Sequence, residues 1–401
     1  MSNDLASTES TSATMAIEWI LGASCATLIA NLYYAQPLTG LIGRSLDIST
    51  SHLGIIVTMP LAGYGLGLLL AVPLGDLIEN RMLVLIMTAV EAVCLAALSL
   101  ATNASIYLAL AFVMGIAAAS VQILVPYVTY LVSEARRGQA VGRVVSGVML
   151  GIMLARPLAS LTANAWGWRF IFRFSACLTI LLAVMLWRFL PIRKPVAKLT
   201  YRQLLQSMAS IYATTSVLRR RGLYHAAMFG AFSVFWTTVP LWLTSPRFGL
   251  SQQGVAWVAL AGVAGAIAPP IAGRLADRGY SRGATSAMMW LAALSLIATR
   301  LAFGQASTAL AVVTLAAVTL DFAVASNLVL SQRAIYALGS EQRSRLNGLF
   351  MATFFVGGAV SSALGAWCYS RFGWTGAVLL GSALPLCAWA YFLTERVPKT
   401  P

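Results

Sequence analysis

The feature that most restricts this 401-residue chain is a series of twelve long apolar runs, at 16–38, 52–75, 82–101, 106–132, 140–165, 169–190, 222–245, 252–275, 283–303, 307–332, 345–368 and 375–394. A helix needs about 20 apolar residues to cross the hydrocarbon layer of a bilayer. Lipid offers no partners to backbone N–H and C=O groups, so segments of this length must satisfy themselves as helices. The expected fold class is therefore all-α integral membrane. Charged residues make up only 10% of the chain, against about 25% in an ordinary soluble domain. Residues 1–15 are Ser/Thr-rich and lack Lys and Arg. They are expected to be a disordered tail, not a cleaved signal peptide.

The net charge of +15 raises the question of nucleic acid, and the placement of the basic residues answers it. They sit in the short breaks between apolar runs, which is how membrane topology is written, not how a phosphate-binding face is built. Alternate loops together with the termini hold 20 Lys and Arg; the opposite loops hold six, Arg44, Arg169, Arg173, Arg247, Arg300 and Arg371, and Arg156 lies inside a run. The positive-inside rule then places both termini in the cytoplasm, in a multi-pass protein of the cell inner membrane. The longest polar stretch, 191–221, carries seven of the basic residues and no acid. It reads as a cytoplasmic linker between a unit at 16–190 and one at 222–394, with a short cytoplasmic tail at 395–401. From Tyr201 to about Val217 it is either an amphipathic helix on the anionic inner leaflet or a solvated tether.

Other function classes find little support. The five cysteines fall inside apolar runs without paired spacing and read as small buried residues. His52 and His225 are the only histidines, and neither has a ligand at helical spacing, so no metal is expected. No phosphate-binding Gly-x-x-x-x-Gly-Lys-Ser/Thr run occurs, so any pumping must be ion-coupled or passive. A membrane enzyme would need a catalytic set that so few buried acids and histidines do not supply.

The breaks repeat. Gly273-Arg274-Leu275-Ala276-Asp277-Arg278-Gly279 has a worn copy at Val72-Pro73-Leu74-Gly75-Asp76-Leu77-Ile78-Glu79-Asn80-Arg81, with the aspartates 201 residues apart. Ser133-Glu134-Ala135-Arg136 answers Ser340-Glu341-Gln342-Arg343 at an offset of 207, and Gly167-Trp168 answers Gly373-Trp374 at 206. Three matching marks in order predict a duplicated unit, as in many transporters, and hence twelve transmembrane helices in two pseudo-symmetric six-helix halves.

Twelve helices, the charged turn and its repeat resemble the major facilitator superfamily. The second turn, Gly273-x-Leu275-Ala276-Asp277-Arg278, is similar to that superfamily's cytoplasmic motif. The first departs from it, with Val72 and Glu79 where the family has Gly, while Asp76 and Arg81 remain. Ala111 stands where the fourth helix usually carries Arg. Gly147, Gly151 and Pro157 resemble the antiporter motif, except that Arg156 replaces the Gly before Pro157. Asn31-Leu32-Tyr33-Tyr34-Ala35-Gln36-Pro37 resembles exporters of the drug:proton antiporter branch. The resemblance implies a conformational latch at Asp76, Arg81, Gly273, Asp277 and Arg278, and a central cavity lined by the first, fourth, seventh and tenth helices. Physically, a turn aspartate can cap the next helix, and arginines there can pair with it or across the seam; a solvated turn that only sets topology is the plainer alternative.

Ionisable residues at membrane depth are functional candidates by default, because a central charge costs from ~3 kcal/mol upward. Three stand out: Glu91, Arg156 and Asp321. Asp321 is the expected proton carrier, since a carboxylate facing a narrow, partly dry cavity can load and release a proton. Glu91 is the second candidate, with helix packing as its alternative role. Asn31, Gln122, Trp236 and Asp321 fall at similar depth and are expected, with Gln36 and Arg156, to form the substrate cavity. From the rise of ~1.5 Å per residue, Arg156 lies about 9 Å further outward, so a bridge to Asp321 needs long side-chain reach or a water. The expected activity is proton-coupled export of small organic compounds by alternating access. The alternative is uptake or facilitated diffusion of a metabolite such as a sugar or carboxylate, which Arg156 would suit. The expected partners are the lipid bilayer, a small-molecule substrate and protons, with no cofactor and a monomeric state.

Overall fold

A computed structural model describes residues 2–195, 199–301, 305–339 and 343–395. Helices account for the secondary structure throughout, with no strand among the described residues. We number them α1 (Ser2–Ala30), α2 (Thr50–Asp76), α3 (Asn80–Leu100), α4 (Ala104–Tyr130), α5 (Arg137–Trp166), α6 (Trp168–Phe189), α7 (Tyr201–Thr214), α8 (Ser216–Leu243), α9 (Gln252–Asp277), α10 (Ser281–Leu301), α11 (Ala306–Tyr336) and α12 (Arg343–Leu393). Among the described residues, nine of these are long and apolar enough to cross a membrane.

Two of the repeated sequence marks do the same physical job. Gly167 (φ 78°) ends α5 and Gly373 (φ 61°) reverses the chain inside α12. Both angles lie in a region that favours glycine because it has no Cβ. The tryptophan after each is tucked in, Trp168 at 6% and Trp374 at 8% exposure. In the pair formed by Ser133–Arg136 and Ser340–Arg343, Ser340, Glu341 and Gln342 lie outside the described residues.

The helices depart from the expected segments in three places. The tail expected to be disordered instead extends α1 back to Ser2; lengthening an existing helix adds one hydrogen bond per residue fixed and avoids a new nucleus. Conversely, the first apolar run is not one helix. It opens into turns over 31–35, tightens into a 3₁₀ segment at Gln36–Leu38 and resumes as Thr39–Ser45. Pro37 supplies no N–H to the ladder there, which permits the break. In α9 the α-helical ladder is interrupted just before Pro269 and Pro270, as their missing N–H groups require. The two prolines occupy the first turn after a 3₁₀ stretch at Val263–Ile267, where a missing N–H costs nothing.

Contacts sort the helices into an N-terminal group (α1 on α5, α2 on α4, α3 on α6) and a C-terminal group (α8 on α12, α10 on α11 and α12). Two seams join them. Along one, α2 packs on α12, where Thr58 Oγ1 donates to Ala359 O (2.8 Å) and Ser362 Oγ to Gly54 O (3.2 Å). Along the other, α5 packs on Gln252–Gly262 and Val263–Ile267 of α9. The core helix is α8: 83% of its apolar window is buried, against 39–56% for the other spanning helices. Helix α7 starts with a capping box between Thr200 and Gln203 and buries Leu204, Met208 and Ile211 on one face. The linker is thus an amphipathic helix docked on the bundle, tied by Tyr201 Oη to Leu70 O (2.9 Å) and by Arg345 Nη1 to Ser207 Oγ (3.1 Å).

Candidate functional site

Close backbone approaches place the polar residues of the core. A Cβ on Gly147 would lie 2.9 Å from the carbonyl carbon of Gly22, and one on Gly151 2.8 Å from that of Ala26, so α5 lies directly on α1. This contact brings Gln36, just past the break after α1, to Arg156 on α5. In the C-terminal group, a Cβ on Gly262 would meet Asp321 Oδ2 at 3.2 Å, and one on Gly265 would meet Asp321 Cβ at 3.0 Å. The α9 glycines therefore leave room for Asp321 and for Trp236 beside it.

The two groups meet at a buried ion pair. Arg156 Nη1 lies 3.4 Å from Asp321 Oδ2, with the residues 1% and 6% exposed. The direct pair answers the depth argument: the long arginine side chain spans the offset and no water is needed. Trp236 Nε1 donates to the other carboxylate oxygen, Asp321 Oδ1, at 2.8 Å. Arg156 Nε donates to Gln36 Oε1 at 2.9 Å, and its guanidinium lies 4.3 Å from the Trp236 ring and 4.6 Å from that of Phe232. Its Nη2 makes no hydrogen bond among the described residues. Desolvating such a pair costs several kcal/mol per ion, and the ring faces and the Gln36 and Trp236 bonds offset part of that.

A cavity of about 120 Å³ adjoins the pair. Its walls are apolar, part aliphatic and part aromatic, with Tyr33, Tyr64, Phe229, Phe232 and Phe354 among them, and its polar groups are Gln122, Arg156, His225 and Asp321. It runs from Arg156 and Asp321 past Leu328 and Met351, toward the end of the bundle that carries the charged turns.

Of the expected cavity residues, Arg156, Asp321, Gln36 and Trp236 form this one cluster, and Gln122 joins the cavity by donating to Tyr64 Oη (3.0 Å). Asn31 stands apart. Its Nδ2 donates to Glu91 Oε1 (2.7 Å) and its Oδ1 accepts from Ser175 Oγ (2.5 Å), which links the first run to α3 and α6. Asn31, at the start of the break over 31–35, thus faces α3 and α6, while Gln36, just past it, faces Arg156. Glu91 is fully buried in that second network, and its Oε2 has no hydrogen bond among the described residues.

The charged turns are arranged differently from expectation. Asp277 Oδ1 accepts from Arg333 Nη2 at 2.6 Å, and Arg333 Nη1 donates to Gly273 O at 2.8 Å. Both partners belong to the C-terminal group and are exposed, Asp277 by 63% and Arg333 by 45%. Arg278 is exposed too. In the first turn, Glu79, not Asp76, caps the next helix by accepting from Arg81 N (2.6 Å) and Met82 N (3.0 Å). Arg81 Nη2 donates to Trp187 O, and Asp76 is exposed.

One cavity residue, His225, was weighed in the sequence only as a metal ligand. It is 1% exposed, its Nδ1 lies 3.1 Å from Asn327 Oδ1, and Phe350 and Phe354 pack on its ring. Its position within an apolar run was the available signal. Glu18, at the start of the first run, is likewise buried, with Arg143 at 2.8 Å and Arg136 at 3.7 Å.

Comparison with known proteins agrees with this architecture. The family model described as Major Facilitator Superfamily matches residues 19–329 and 248–401. The uncharacterized transporter YgaY of Escherichia coli is 35% identical over 358 residues, covering 89% of this chain and 90% of that protein. The chloramphenicol efflux pump Rv0191 of Mycobacterium tuberculosis is 26% identical over 253 residues, 62% of this chain and 60% of the pump. Among solved structures, a bacterial homolog of the human lysosomal transporter Spinster superposes with a TM-score of 0.75 at 14% identity, covering 97% of this chain and 99% of that one.

Proposed function

Since the chain belongs to the Major Facilitator Superfamily, a family of membrane transporters, we propose that it is a proton-coupled exporter of small organic compounds working by alternating access. The finer architecture belongs to the same proposal. Counting the first run, α10 and both arms of α12 about Gly373 as crossings gives twelve, in two six-helix halves, with both termini in the cytoplasm of an inner-membrane protein. The observation that carries the reading is the Arg156–Asp321 pair at 3.4 Å, because its members belong to different halves.

Asp321 is the proton carrier in this scheme. Ionised, it holds Arg156 across the centre; protonated, it keeps its Trp236 bond but loses the charge that holds Arg156. Arg156 then keeps Gln36 within its own half and the rings of Trp236 and Phe232 across the centre, so the tie between the halves weakens without being lost. A bound cationic group would favour ionised Asp321, so proton and substrate would oppose each other at one carboxylate, as exchange requires. The aliphatic and aromatic walls suit flat or apolar molecules, and the efflux relative is in keeping with that class. The alternative, uptake or facilitated diffusion of a carboxylate or sugar, draws on the Nη2 of Arg156, which could take an anion.

The test uses purified protein in proteoliposomes with an imposed pH gradient and a panel of cationic, neutral and anionic compounds. Export coupling predicts gradient-driven accumulation of compounds from the cationic or neutral sets. Asp321→Asn should abolish that accumulation while exchange of substrate for substrate survives. Accumulation by the Asn variant equal to the parent would remove Asp321 from the proton pathway.

A further inference from the structure

Away from the central cavity, the linker roofs a second space. A groove of about 580 Å³ lies between α7, the end of α2, and the facing surfaces of α8 and α12. Its walls are almost wholly apolar, with Leu205, Met208 and Tyr212 from α7 opposite Leu70, Leu223 and Leu349. Leu70 and Leu223 are 41% and 47% exposed, so the groove is open at its side.

Its rim at the basic end is lined with arginine. Arg219 is four residues before Leu223 on α8 and Arg345 is four residues before Leu349 on α12, so each sits one turn below a groove wall. Both bind the linker helix itself. Arg345 donates to Ser207 Oγ at 3.1 Å, and Arg219 donates to Tyr212 O at 2.8 Å and also to Ala213 O. From Ser207 to Ala213 the rise is about 9 Å, which sets the scale of the basic rim. Among the described residues neither arginine has an acidic partner, and the whole stretch 191–221 contains no Asp or Glu. Nearby, Arg221 lies 3.3 Å from Glu395.

We propose that this groove is a binding site for one anionic phospholipid, with an acyl chain between α7 and the α2–α12 seam and the phosphate at Arg219 and Arg345. An apolar slot ending in two guanidinium groups that have no acidic partner among the described residues matches an amphiphile with an anionic head in both parts. A membrane helix surface facing bulk lipid supplies only the first part. The site also explains why the linker is folded down onto the bundle: a lipid held there contacts α7, α2, α8 and α12 together.

The test is direct binding to the purified full-length protein, read as lipid adducts by native mass spectrometry. The probes are dioctanoyl phosphatidylglycerol, the phosphatidylcholine of the same chain length, and inorganic phosphate. A basic residue near a lipid surface contributes about five-fold in affinity, so two arginines should favour phosphatidylglycerol over phosphatidylcholine by about 25-fold. Arg345→Gln should reduce that preference about five-fold, and Arg219→Gln with Arg345→Gln should erase it. Ala209→Trp, at an exposed position lining the groove, leaves both arginines in place and should weaken both lipids while the protein still elutes as a folded species. Equal binding of the two lipids by the parent would overturn the proposal. So would protection from adduct formation by inorganic phosphate at the lipid's own concentration, since that describes an anion site without a chain. Undiminished phosphatidylglycerol binding by Ala209→Trp would place the lipid elsewhere.

Discussion

Two of the carboxylates buried in the helical bundle, Glu91 and Asp321, differ in who holds them. Glu91 is bound by Asn31, which is bound by Ser175, and all three lie in the N-terminal group. Asp321 is bound by Trp236 of its own group and by Arg156 of the other. A network inside one group travels with it as a rigid unit, whatever the groups do relative to each other. A pair spanning both groups must be remade when they move, so its charge state can bias which arrangement is populated. Burial alone would have ranked Glu91 first, since it is the more enclosed of the two. Placement on the seam reverses that order.

The largest expected effect is on coupling. In proteoliposomes, Asp321→Asn should lower pH-gradient-driven accumulation at least about ten-fold, whereas Glu91→Gln, which keeps an acceptor for Asn31, should stay within about two-fold. If the two variants lost coupling equally, membership of one group or two would not be what matters. Accumulation lost only in Glu91→Gln would make the inner network the proton path.

Next comes stability, where the contrast should survive in smaller form. Asp321→Leu leaves Arg156 charged and buried without its partner, and removing one member of a buried pair costs about 3–5 kcal/mol. Glu91→Leu strands the Asn31 amide instead, a loss of about 1–3 kcal/mol for an unsatisfied neutral group. Hydrogen bonds between membrane helices average only about 0.6 kcal/mol, which favours the lower end. Unfolding midpoints of the purified variants should order parent, Glu91→Leu, Asp321→Leu. Asp321→Leu with Arg156→Leu should recover part of the loss, and failure to recover would mean that the guanidinium is held by its other contacts.

The sequence was most informative where a physical requirement is periodic or local. Run length announced spanning helices, and the glycines of Gly167-Trp168 and Gly373-Trp374 marked chain reversals that their positive φ angles make intelligible. Depth along the helices likewise grouped Gln122, Trp236 and Asp321. What it could not supply was azimuth. Asn31 and Gln36 lie five residues apart, about 140° around a regular helix, so they face different sides, and run length reveals neither which of them faces inward nor the break between them. His225 was missed for a related reason: its cavity position depends on which face α8 turns inward, and Asn327, its partner, is 102 residues away. Motif resemblance was also an uneven guide, pointing to Asp277 and Arg278 without showing that Arg333 is the residue that meets the aspartate.

That turn gives the smallest expected effect and the sharpest use of the comparison. Asp277 and Arg333 lie in the same group, like Glu91 and its partners, but in the open, like neither buried carboxylate. An exposed pair contributes about 0–1 kcal/mol, so Asp277→Asn should barely shift the unfolding midpoint, and Asp76→Asn, whose side chain is also exposed, should shift it no more. If the turn only orders the chain, transport by Asp277→Asn should stay near the parent. A latch acts in the other arrangement of the groups, where the basic ends approach and Asp277 can exchange Arg333 for a partner across the seam. Transport by Asp277→Asn should then fall severalfold with the midpoint unmoved, and Asp76→Asn should fall less, since Leu77 gives it no adjacent cation. Measuring midpoint and initial transport rate on the same preparations separates the two, because only a contact absent from this arrangement can change the rate and leave the stability alone. Equal tolerance of both substitutions would reduce the repeated turn to a mark of topology.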